Sequence, residues 1–102
     1  MIEYFEVLEI IPIFVLKSNV YILVMPTLFF YLGLRFFFYS NDHEPIHVHI
    51  SSGDAEVKFR IEPEIVLIEN NGLKSHEIRQ TIMGIKRNQE VIIERWKEYF
   101  EQ

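Results

Sequence analysis

Two short runs, IHVHI at 46–50 and AEVKFRI at 55–61, flank Ser51-Ser52-Gly53-Asp54 and alternate in character residue by residue. Period-two alternation is the pattern of a strand with two unlike faces. With Ser52-Gly53 as a two-residue turn, Ile50 pairs with Ala55, His49 with Glu56, Val48 with Val57 and His47 with Lys58. Val48, Ile50, Ala55, Val57, Phe59 and Ile61 then share an apolar face, and His47, His49, Glu56, Lys58 and Arg60 share a polar one. A slip of one residue would scramble both faces, so the hairpin restricts every arrangement built around it.

The stretch TLFFYLGLRFFFYS precedes it, with Gly33 as the expected turn. Beyond that turn Arg35, Phe37 and Tyr39 fall on one face, while Phe36 and Phe38 fall on the other. The first set could form a base-stacking stripe, although aromatics at strand period are more often core. After Pro63, EIVLIE reads as a further strand closed by Asn70-Asn71-Gly72. Ser75 is the expected N-cap of a helix carrying Glu77 in its first turn. Ile78, Ile82, Ile85, Ile92, Trp96 and Tyr99 recur at helical spacing and predict one helix ending near Phe100. The expected fold class is α+β: a small antiparallel sheet of hairpins packed against one long C-terminal helix. Trp96 is expected to anchor that helix near Phe59 or Val57.

A chain of 102 residues forms one domain and buries enough surface to fold without a staple. Absence of cysteine excludes disulfides, thiolate metal sites and cysteine nucleophiles. The formal net charge of −5 argues against a protein that coats a phosphate backbone. Residues 11–24, largely apolar, read as an extra hairpin around Lys17-Ser18-Asn19. The run VYILVMPTLFFYLGL holds fifteen uncharged residues, short of the roughly 18 to 20 of a spanning helix. Pro12 and Pro26 interrupt the region, and Glu3, Glu6 and Glu9 stand where a secretory signal needs positive charge. We therefore expect a cytoplasmic protein with no membrane partner.

Three of the four histidines fall within FYSNDHEPIHVHI, residues 38–50. His47 and His49 lie at i and i+2 of the predicted strand, with Cα atoms about 6.5 to 7 Å apart and side chains on one face. Asp42 and His43 precede Pro45 in the adjoining loop. Three chemistries fit these residue types. Asp42, His43, His47, His49 and Glu56 could hold a divalent metal such as zinc, nickel or iron. Alternatively, His43, His47 and His49 could exchange protons while Lys58 and Arg60 hold a phosphate, a combination suited to cleaving RNA through its own 2′-hydroxyl. The same groups can also do no more than brace a loop, with Asp42 capping the turn.

The segments RFFFYSNDHEPIHVHI, GDAEVKFRIEPEIVLIENNGL and IIERWKEYF resemble a family of small bacterial and archaeal proteins, domain of unknown function number 4160. The likeness spans residues 25–101. Its F-Y-S-x-D-H-x-P-x-H-x-H core falls on Phe38 to His49, its G-D-A-x-x-K-F strand on Gly53 to Phe59, and its W-x-E-Y-F close on Trp96 to Phe100. Members often have two prolines after Asp-His, where this chain has Pro45-Ile46. Members tend to begin with Met-Pro-Thr, here Met25-Pro26-Thr27, so the resemblance implies that residues 1–24 are an extension or follow from an upstream start codon. It also implies a cytoplasmic protein that pairs with a small cognate protein encoded nearby. On this reading the chain is the toxin-like component of a toxin–antitoxin module, acting on RNA through the histidine face; the alternative is a non-enzymatic metal-binding or protein-interaction module that uses the same face.

Overall fold

The computed structural model describes residues 26–101. The apolar extension over 1–24 and the hairpin read within it lie outside these residues. Five strands form one antiparallel meander in chain order: β1 (Thr27–Tyr31), β2 (Leu34–Phe37), β3 (His47–Ser52), β4 (Ala55–Arg60) and β5 (Val66–Asn71). Two helices follow, α1 (Ser75–Arg87) and α2 (Gln89–Phe100). Among the described residues no helix is long and apolar enough to cross a membrane.

The β1–β2 turn is Leu32-Gly33, with φ of 52° and 84° at the two residues. Positive φ at both central positions matches the right-handed twist of the flanking strands. In the β3–β4 hairpin the register differs from the one read in the sequence. Ser52 pairs with Ala55, Ile50 with Val57, His49 with Lys58, Val48 with Phe59 and His47 with Arg60. The turn is therefore Gly53-Asp54. Tight hairpin turns demand positive φ at their first central residue, which Gly53 supplies (φ 61°) and a serine resists. Each residue of β3 now meets a partner two places further along β4. A shift of two leaves each side chain on its face, so the apolar and polar sets survive while their cross-strand neighbours change.

The apolar face carries Phe36, Phe38, Val48, Ile50, Val57, Phe59 and Ile61, all buried and all in one cluster with Ile85, Ile92 and Trp96. Each such side chain, fully removed from water, contributes roughly 1.5–3 kcal/mol. Gly84 faces this layer, and a Cβ built there would come within 2.8 Å of the Tyr31 ring and 2.9 Å of Phe36. The glycine that weakens the helix intrinsically is what lets α1 approach the sheet.

The expected single helix is two, because Asn88 leaves helical geometry (φ −123°, ψ 21°). Its side-chain amide donates to the Gly84 carbonyl at 2.9 Å, a bond that competes with continuation of the helix. Only one residue is lost, so Ile85, Ile92 and Trp96 remain on the same side. The N-cap is Lys74 rather than Ser75, and its backbone N–H donates to Glu77 Oε1 at 2.9 Å. Trp96 is fully buried, but its ring neighbours are Phe38 (5.3 Å between centroids), Phe100 (4.3 Å) and His47 (5.1 Å). The indole thus backs the histidine site as well as the core.

Candidate functional site

The loop between β2 and β3 closes on itself around Asp42. The Asp42 backbone N–H donates to the Tyr39 carbonyl at 3.0 Å, and the Tyr39 N–H donates to Asp42 Oδ2 at 2.9 Å. This reciprocal turn aims the carboxylate at the start of β3, a habit of aspartate in turns. Beyond the loop, the Ile61 N–H donates to the Ile46 carbonyl at 2.9 Å and ties the entry of β3 to the sheet.

His47 and His49 follow on one face, with ring centroids 5.1 Å apart, and both are buried at 5% and 7% exposure. His49 stacks on Phe37 at 5.5 Å and meets Tyr39 edge-on at 4.5 Å, while Trp96 walls off His47. Packing on this scale fixes both rings. Phe37 is itself buried, so Arg35, Phe37 and Tyr39 present no open stacking stripe; the Arg35 guanidinium covers the Phe37 ring at 4.3 Å.

All four ring nitrogens face oxygen. His47 Nδ1 lies 2.8 Å from the Pro45 carbonyl oxygen, and His47 Nε2 lies 3.1 Å from Asp42 Oδ1. His49 Nε2 lies 3.1 Å from Asp42 Oδ2, and His49 Nδ1 lies 3.4 Å from Glu56 Oε2. The close approaches of His47 Nε2 to Asp42 and of His49 Nδ1 to Glu56 are not aligned as hydrogen bonds, although both nitrogens are shut away from water. One ligand atom each from Asp42, His47 and His49 falls within 4.8 Å of the others. A tetrahedral ion with bonds of about 2.0–2.1 Å holds its ligands roughly 3.3 Å apart.

Burial pushes the Asp42 carboxyl upward, but the close His47 and His49 rings and the hydrogen bond from the Tyr39 N–H outweigh it and hold the group well below the usual carboxylate range. Tyr39 is pushed up to about 12 by burial and by its hydrogen bond to Glu56. That phenol donates to Glu56 at 2.8 Å, so Tyr39 braces the carboxylate that faces His49.

The remaining residues named from sequence surround this centre. His43 is exposed, with Nδ1 3.5 Å from the Glu44 carbonyl, and stands at the rim apart from the three converging groups. Glu56 faces His49 from the side away from Asp42. Lys58 lies directly across the ladder from His49, and Arg60 directly across from His47. Arg60 Nη2 also lies 3.8 Å from Glu64 Oε2. A groove of about 500 Å³ opens over the site, lined among others by Asp42, His43, His47, Lys58, Arg60 and Ile68.

Sequence reasoning placed Tyr39 on the right face without giving it a part in the site, and it did not foresee the wall made by Trp96. The missing information was the pairing of Phe37 with His49 across β2 and β3, two strands joined by a nine-residue connection that no turn signal spans.

No curated protein and no solved structure matches the chain. Residues 33–97, carrying both the histidine pair and Trp96, match the family profile described as Domain of unknown function (DUF4160). The chain belongs to that family.

Proposed function

We propose that this domain binds a divalent transition-metal ion, zinc by preference of ligand chemistry, on Asp42, His47 and His49, and presents it to the groove. His47 carries the argument. A backbone carbonyl only accepts hydrogen bonds, so the 2.8 Å contact with Pro45 places a proton on Nδ1. In the neutral ring Nε2 is then a bare lone pair with a carboxylate oxygen 3.1 Å away in a buried setting. Two electron-rich atoms held so close need a positive centre between them or a second proton on the ring. Metal-bound histidines characteristically direct their other nitrogen at a carbonyl or carboxylate, as His47 does toward Pro45 and His49 toward Glu56. Three protein ligands with room for a fourth fit a catalytic type of centre better than a structural one. Bound zinc would lower the pKa of a coordinated water and polarise a substrate oxygen.

Metal-free cleavage of RNA by His43, His47 and His49, the activity of a toxin-like component, is the second reading, favoured by the presence of Lys58 and Arg60 in the groove. It needs a histidine nitrogen free to meet substrate, and both Nε2 atoms face Asp42 instead. A small cognate protein encoded nearby would act, in either reading, by covering the groove.

Untagged protein stripped with a chelator and titrated with zinc tests the proposal. One equivalent should bind, raise the melting temperature, and be lost in Asp42→Asn and His49→Gln variants that still fold. Failure of the folded wild-type protein to take up zinc, cobalt, nickel or iron would overturn it.

A further inference from the structure

We infer that the groove over Asp42 and His47 is a phosphomonoester site, in which a terminal phosphoryl group bridges the bound metal, Lys58 and Arg60. This rests on the metal-centre reading and names the ligand that centre would take. The observation behind it is the β3–β4 register. Arg60 stands directly opposite His47 and Lys58 directly opposite His49 on the same face, and both line the groove beside Asp42 and His47. Directly opposed residues bring their Cβ atoms to about 4.5–5.5 Å. A divalent ion, an ammonium and a guanidinium together outweigh the single charge of the Asp42 ligand and leave positive charge in the groove for an anion to offset.

The Lys58 side chain makes no hydrogen bond or ion pair among the described residues, although its other cross-strand neighbour is Glu69. Arg60 makes two loose contacts, both with exposed Glu64: Nε donates to its carbonyl oxygen at 3.5 Å, and Nη2 lies 3.8 Å from its carboxylate. Both donors are thus available to a ligand. A metal, an ammonium and a guanidinium at three corners suit a group with three outward oxygens. A phosphate monoester has three non-bridging oxygens, an internal phosphodiester two and a carboxylate two. The monoester dianion also offsets the charge of the metal, and a guanidinium fork matches phosphate geometry.

The surroundings favour a terminal phosphate over a nucleic-acid backbone. Glu44 lines the groove and Glu64 stands beside Arg60, both exposed, and the chain carries a net charge of −5. A long polyanion would meet those carboxylates, whereas a single phosphoryl group passes between them. The volume of about 500 Å³ is that of a small-ligand pocket, and half-exposed Ile68 supplies an apolar wall for the group bearing the phosphate.

Calorimetric titration of the zinc-loaded full chain separates the outcomes. The probes are inorganic phosphate, adenosine 5′-monophosphate, acetate, and a short oligoribonucleotide with and without a 5′-phosphate. Phosphate and the mononucleotide should bind and acetate should not. Lys58→Met and Arg60→Met should each weaken binding about tenfold or more, the loss of one charge-assisted contact, without altering zinc stoichiometry. Binding of the 5′-phosphorylated oligonucleotide more tightly than the mononucleotide identifies an RNA end as the source; the reverse identifies a free nucleotide, and both support the inference. Equal binding of the oligonucleotide with and without its 5′-phosphate overturns it, as does acetate binding as well as phosphate. Zinc uptake with no phosphate binding overturns it while leaving the metal centre standing. No zinc uptake removes the metal centre and this inference together.

Discussion

His47 Nδ1 lies 2.8 Å from the Pro45 carbonyl oxygen, inside a loop whose other end delivers the Asp42 carboxylate to the same ring. One connection therefore sets both the proton position on His47 and the charge that its other nitrogen meets.

The first prediction concerns that proton. In long-range proton–nitrogen NMR spectra of the zinc-loaded protein, His47 should carry hydrogen on Nδ1 and none on Nε2. A ring protonated at Nε2 in the loaded protein would exclude it as a ligand through that atom.

Asp42 predicts the acid limb of stability. Its folded-state pKa is depressed, so its stabilisation is complete above the unfolded carboxyl value, about 3.9, and is lost as pH falls through the folded value. Thermal melts in chelator should show wild type losing its advantage over Asp42→Asn only on acidification below about pH 4. At neutral pH the substitution should cost about 1.5–3 kcal/mol, the range for hydrogen bonds to a charged group. An advantage that vanishes instead on going alkaline would refute the assignment.

At Gly84 two effects oppose. Alanine improves helix propensity by about 1 kcal/mol, but the added methyl would sit 2.8 Å from Tyr31 and 2.9 Å from Phe36. Overpacking a fitted core costs about 1–3 kcal/mol, so Gly84→Ala should be destabilising in a urea melt. A gain would mean that both rings move aside freely.

Leu32 is exposed and holds φ of 52°, a conformation that disfavours a branched aliphatic residue. Leu32→Asn should stabilise by about 1 kcal/mol, since asparagine tolerates the left-handed region and no buried contact is lost. In a domain of this size that raises the melting temperature by about 4–8 °C.

Alternation along 46–61 determined which side chains would share a face, and that held even though the turn moved from Ser52-Gly53 to Gly53-Asp54. Face identity depends only on parity, which a shift of two preserves, so the sequence alone could place His47 and His49 together. It could not say that Arg60 opposes His47, because the identity of the opposing residue changes with each step of register. Helical spacing determined that Ile85, Ile92 and Trp96 would line one side; the break at Asn88 followed from a local hydrogen bond to Gly84 that periodicity does not register. The meeting of Asp42 with both histidines, and of Trp96 with His47, was decided by tertiary structure alone. These contacts join loop, strand and helix across long stretches of chain, where closure of the fold rather than residue spacing sets the distance.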